Sequence, residues 1–105
     1  MLIIKTKLPK DVVAVALFPF VLVNKSKNID QRVINHEKIH LHQQVELLIV
    51  FFYIWYGLEY LLRLLKYKNS DTAYRNICFE REAYLNESDN SYTKSRGFLT
   101  FLKYM

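Results

Sequence analysis

Residues 36–40 read His-Glu-Lys-Ile-His, a pattern of residue types and spacing suited to metal chemistry. On an α-helix, side chains four residues apart stand one above the other, so His36 and His40 project from one face and their imidazoles can grip a single ion. Glu37 lies about 100° around the helix axis, where its carboxylate reaches a water on that ion without ligating it. His-Glu-x-x-His is the arrangement of zinc hydrolases, in which three protein ligands and one open position acidify bound water and polarise a substrate carbonyl. Random placement of the three histidines and six glutamates would produce the motif in about 0.5% of such chains. The expected cofactor is one Zn2+ ion held by His36, His40 and a third ligand.

The single cysteine, Cys78, excludes an internal disulfide framework and any Cys-rich zinc knuckle, so the third ligand must be a His or a carboxylate. Position 43 is Gln43 and position 46 is Glu46, which rules out the metzincin extension, where these would be Gly and His. The good candidates are Glu80 and Glu82, two residues apart and therefore on nearly opposite sides of a helix. On a helical wheel, Ala73, Ile77, Cys78, Tyr84 and Leu85 mark the buried side, with Glu80 nearer its centre. Glu80 is favoured as ligand and Glu82 is expected to be an exposed glutamate on a solvated face. Ala83, one turn after Glu80, is small enough to let this helix approach the histidine helix closely. His42 lies about 200° around the axis from His40 and is expected to face solvent.

These residues need elements to position them. A chain of 105 residues with 51% apolar residues can bury one modest core, so one domain spanning 1–105 is expected. Residues 12–23 are rich in β-branched and aromatic types and read as one or two strands bent at Pro19, with a further short strand at 2–7. From about Ile29 to Lys66 there is no proline, which predicts a long helix or two helices joined near Gly57, capped by Asn28 or Asp30. Asn69-Ser70-Asp71 starts a second helix running to about Asn86, and 95–104 reads as a short terminal helix weakened by Gly97. The fold class is α+β and mainly helical: a long zinc-site helix and a second, glutamate-bearing helix packed with a small N-terminal antiparallel strand pair or sheet.

His36-Glu37-x-x-His40 followed by Glu80-x-x-Ala83 resembles the gluzincin clan of metallopeptidases, and the small size resembles the minigluzincins, minimal scaffolds similar to the catalytic cores of membrane metallopeptidases. The resemblance covers roughly residues 12–87. It implies that His36, His40 and Glu80 ligate zinc, that Glu37 is the general base, and that strand 12–23 forms the upper rim of a cleft in which an extended peptide or protein substrate pairs as an added strand. The chain departs from the clan at Tyr84, where many members carry an aspartate that supports a histidine ligand. For the oxyanion, Tyr84, Arg81, Arg96 and His42 are all candidates. The competing reading is a non-catalytic zinc-binding or membrane-surface interaction protein on a degenerate peptidase scaffold, and Glu37 separates the two, because a structural ion needs no base beside it.

Leu47–Leu58 form twelve uncharged positions between Glu46 and Glu59. A spanning helix needs about 20 apolar residues, and extension would immerse Glu59 and Arg63, so a transmembrane helix is disfavoured. The stretch is expected to be a core helix, with membrane-surface attachment or a homodimer seam as alternatives. Net charge is +5, but the basic residues are spread along the chain, which reads as a solvated surface and not a nucleic-acid site. The first residues lack the features of a secretory signal, so a cytoplasmic place, with or without membrane association, is expected. The aromatic and basic tail from Ser95 to Met105 either completes the core or lies across the cleft and makes the protein latent.

Overall fold

A computed structural model describes residues 2–105. Its elements run β1 (Leu2–Thr6), β2 (Ala14–Leu17), β3 (Phe20–Asn24), α1 (Gln31–Glu46), α2 (Val50–Tyr67), α3 (Ser70–Arg75), α4 (Cys78–Asn86), α5 (Tyr92–Ser95) and a closing 3-10 turn at Thr100–Tyr104. The class is α+β and mainly helical, as the sequence predicts.

The strands form one sheet in the order β1-β3-β2, so the sheet is mixed: β2 pairs with β3 antiparallel, while β1 pairs with β3 parallel. Pro19 lies in the tight turn between β2 and β3, where its missing donor costs no ladder bond. The parallel pairing requires the chain to cross from one edge of the sheet to the other, and buried Asn24 holds that crossover. Its amide donates to the carbonyls of Leu8, Pro9 and Val12 at 3.3, 3.3 and 2.9 Å. Val21 and Val23 of β3 and Ala16 of β2 then pack on Leu41 of α1.

α1 begins where Asp30 accepts a hydrogen bond from the Val33 amide at 3.0 Å, satisfying a free first-turn donor. The break after α1 falls at residues 47–49, not at Gly57, and the two helices diverge there by 112°. Leu48 and Ile49 adopt left-handed φ values of 56° and 63°, which local preference does not explain. Packing does: α1 must lie on the sheet, whereas Phe52 of α2 must enter a second cluster with Ile77, Cys78, Phe79 and Phe101. α2 then continues unbroken through Gly57.

The predicted second helix is also divided, into α3 and α4, at Asn76–Ile77. Asn69 caps α3 by accepting from the Thr72 amide at 3.0 Å. α4 has no side-chain cap from its own N-cap residue; instead the buried Glu59 carboxylate of α2 accepts the Cys78 amide at 2.9 Å, together with Trp55 Nε1 and Arg63. Leu85, expected on the buried side, points to solvent, because the division at Ile77 turns α4 relative to α3. The terminal helix is replaced by α5 and the 3-10 turn, separated around Gly97. Phe98 is exposed while Phe101 is fully buried between Trp55 and Phe79, with ring centroids 5.3 and 4.8 Å away.

The tail therefore completes the aromatic core. Phe101→Ala should lower the free energy of unfolding by about 3–5 kcal/mol, the cost of emptying a buried phenylalanine site. Urea denaturation followed by circular dichroism measures it, and a loss below about 1 kcal/mol would show that the tail packs loosely on a core complete without it.

Candidate metal centre

The buried face of α1 is polar. Asn35, His36, Glu37, His40, Gln43 and Gln44 are all buried, and each such group costs free energy unless it finds a partner. Gln44 reaches the sheet, donating to the Ala16 carbonyl at 2.8 Å and accepting from the Phe18 amide at 2.8 Å. Asn35 donates to the Glu87 carbonyl and to Asn90 beyond the end of α4. These contacts fix the axial position of α1 between the sheet and α4, and with it the two imidazoles.

His36 and His40 converge on one oxygen of Glu80. The distances from Glu80 Oε1 are 3.1 Å to His36 Nε2 and 3.2 Å to His40 Nε2, close to the edge of about 3.4 Å expected between donors of a tetrahedral ion with bonds near 2.1 Å. All three residues are buried, and their ligand atoms lie within 4.8 Å of one another. The group thus has the composition and spacing to bind a metal ion.

The other ring nitrogens are occupied in the way a metal ligand needs. His40 Nδ1 donates to Gln43 Oε1 at 2.8 Å. Gln43 can only accept there, because its Nε2 donates to the Phe79 carbonyl at 3.1 Å and to Glu82 Oε1 at 2.9 Å. His36 Nδ1 lies 3.3 Å from Glu87 Oε2. Both contacts orient the Nε2 atoms toward Glu80 and raise their basicity as ligands. Position 84 supplies no acid to His36: Tyr84 stacks edge-on against its ring at 4.5 Å, and Glu87 provides the carboxylate.

The second oxygen of Glu80 accepts from the Tyr56 hydroxyl at 2.7 Å. Burial alone would raise the Glu80 carboxyl, but His40 and His36 overcome it and drive its pKa far below the usual carboxylate range. Burial likewise works against a charge on His40; the Glu80 charge and hydrogen bond outweigh it, and the pKa rises to about 9. Glu37 lines the same cleft, and its carboxyl is pushed up by burial although both histidines pull it down.

The cleft has a volume of about 680 Å³ and is walled by β2, α1, α2 and the α3–α4 pair. Alternation of the ladder places the outward backbone groups of β2 at Ala14 and Ala16, since Asn24 donates to the Val13 carbonyl and so pairs residue 13 with β3. Gln44 and the Tyr53 hydroxyl already bond the Ala16 carbonyl. The remaining edge is the Ala14 N–H and C=O and the Ala16 N–H.

Glu82 is the clear correction to the sequence reading. It is fully buried, not solvated, and points away from the histidines. Arg96 grips it through Nε at 2.7 Å and Nη2 at 3.1 Å and reaches Glu46 at 3.0 Å, and the Tyr92 hydroxyl donates to it at 2.8 Å. Among the oxyanion candidates, Arg96 is thereby committed, Arg81 bonds Asn76 and the Tyr104 carbonyl, and His42 is exposed as expected. Tyr84 remains, its hydroxyl 3.2 Å from that of Tyr74, and both line the cleft. Residues 91–105 contribute nothing to the lining.

Gln43, Glu87, Tyr56 and Tyr74 are site residues that the sequence reading did not single out. One signal for Gln43 was present: it follows His36 by seven residues and His40 by three, which places it on the same helix face.

The metal-free fold has a defined pH response. His40 keeps its proton in the folded protein to about pH 9, against an ordinary value of 6.5. Its attraction to Glu80 is therefore fully present below about pH 6.5 and is lost as pH rises through about 9. A metal ion needs the neutral imidazole, so its stabilisation grows over the same interval. The Tm of chelator-treated protein should fall between pH 6.5 and 9 while the increment from added Zn2+ rises; an increment absent from wild type, or equal in Glu80→Ala, would remove Glu80 from the ligand set.

Comparisons with protein-family models, with curated proteins and with solved structures find no match to this chain.

Proposed function

We propose that the chain is a zinc-dependent peptide-bond hydrolase, with His36, His40 and Glu80 as metal ligands and Glu37 as general base and acid. The observation that carries this reading is the convergence of two Nε2 atoms on one Glu80 oxygen, with the Glu37 carboxyl beside them on an open cleft. Two nitrogens and one oxygen suit zinc, which in such a site acts as a Lewis acid and makes a water nucleophilic near neutral pH.

The protein's own groups supply the remaining parts. Glu37, with its affinity for protons raised by burial, takes a proton from the attacking water and passes it to the leaving amine. The Tyr74–Tyr84 hydroxyl pair is the donor group facing the cleft, suited to a carbonyl oxygen that gains charge. A substrate peptide lies extended along β2, bonding the Ala14 N–H and C=O and the Ala16 N–H. No lysine or arginine lines the cleft, and Asp11 and Asp71 stand exposed in its wall, which favours neutral or basic peptides over acidic ones.

Glu37→Gln keeps the shape of the side chain and removes the base. Wild type and variant should both bind one zinc per chain by elemental analysis, while cleavage of an extended, basic peptide library falls by about 10²–10⁴-fold in the variant. Tyr74→Phe should lower kcat by about 10²-fold with little change in KM. Zinc-loaded wild type that cleaves nothing in the library would leave the ion a structural role, and equal cleavage by Glu37→Gln would assign the base elsewhere.

A further inference from the structure

α2 has two unlike sides. Phe52, Tyr53 and Tyr56 face the cleft, while Phe51, Ile54, Leu58, Leu61 and Leu65 form a stripe on the opposite side, each between 52 and 75% exposed, with exposed Leu62 beside them. Their spacing is three, four, three, four. That is the repeat one helix presents to another in a coiled-coil-like seam, and exposed Val50 lies at its flank.

We propose that this stripe is the seam of a homodimer, in which the α2 helices of two copies cross antiparallel near Gly57 and Leu58. Leu58 is the midpoint of the stripe, so an antiparallel crossing there sets Leu58 against its own copy on a two-fold axis, pairs Phe51 with Leu65 and Ile54 with Leu61, and closes the assembly. At about 200 Å² for a fully exposed large apolar side chain, the stripe and Leu62 present on the order of 700 Å² per copy, near the ~800 Å² per partner of a standard specific interface.

Gly57 is an independent pointer. Glycine inside a helix lowers its stability relative to alanine, and at Gly57 nothing within the chain requires it: a Cβ there would meet no atom within 4 Å. It lies on the flank of the stripe, level with its midpoint, and leaves room there for a partner's side chains to pack across the seam. A lipid surface gains nothing from a glycine at this place. The seam also carries no charge to desolvate, because Arg63, the cation nearest its centre, is drawn to Glu59 at 3.2 Å. Lys66 and Lys68 cluster at one end of α2 only, which is a poor match to an anionic membrane lying along the whole helix. Since the seam is opposite the cleft wall, both clefts of the dimer stay open.

Sedimentation equilibrium of the full chain should give a dimer at micromolar concentration. Leu58→Glu and Leu61→Glu should yield monomers with unchanged circular dichroism and zinc content. Gly57→Leu, which places a better helix former in open space and so should fold at least as well, should weaken dimerisation by tenfold or more. A wild-type monomer at high micromolar concentration overturns the proposal, as does a dimer indifferent to all three substitutions. A wild-type monomer that floats with phosphatidylcholine–phosphatidylserine vesicles, and loses them in Leu58→Glu, assigns the face to lipid and overturns it equally. Zinc content and cleavage are read separately, so failure here is distinguishable from failure of the hydrolase reading.

Discussion

A carboxylate with 3% of its surface exposed is tolerated only where donors or positive charge surround it, and Glu80 is such a group. One of its oxygens lies between His36 and His40 of α1, and the other takes the hydroxyl of Tyr56 from α2. A single side chain on α4 thereby ties three helices together. Without a metal, protonated His40 balances the charge; with one, the cation would do so, and the imidazoles would give up protons to become ligands. The same arrangement serves both states because Gln43 and Glu87 hold the rings from behind.

Two further buried carboxylates set the place of α4 itself. Glu59 of α2 closes the open amide at its start, two residues before Glu80. Glu82, on its other side, is clamped by Arg96 from the tail and shares Gln43 with His40. The chain Arg96–Glu82–Gln43–His40 links the tail to the candidate metal centre over four side chains. Buried ion pairs of this kind add little net stability, but removing one partner leaves an uncompensated charge in the interior. Their effect is to make other placements of α4 expensive, and so to hold Glu80 against the two histidines.

This also explains which parts of the protein were legible in its sequence. The two histidines and Glu37 sit on one helix, and helical geometry alone relates them. Glu80 needed one further step, the sidedness of a second helix, and that too is local. Glu82 looked solvated because its partner Arg96 is 14 residues away across a loop, and no periodic pattern encodes such a pair. Tyr56 was hidden inside an apolar run, where one hydroxyl among many hydrophobic residues carries no spacing signal. The break at residues 47–49 has neither glycine nor proline, because it is imposed by two cores that α1 and α2 must enter separately. Gly57 looked like the joint and is an ordinary helical position, which is why its presence calls for another reason.

That run, Leu47–Leu58, posed a choice between core, membrane and partner, and the charges that bound it decide part of the matter. Glu59 and Arg63 would be costly in a bilayer; here Glu59 is the cap of α4 and Arg63 its counter-charge. No single helix among the described residues is long and apolar enough to cross a membrane. A helix at the edge of a domain ordinarily pairs an apolar inner face with a polar outer one. In α2 the inner face carries Phe52 and the hydroxyl of Tyr56, committed to the core and to Glu80, whereas the outer face is apolar throughout. The protein's own core accounts for only one of these two sides; the other is the face proposed above as the seam between two copies.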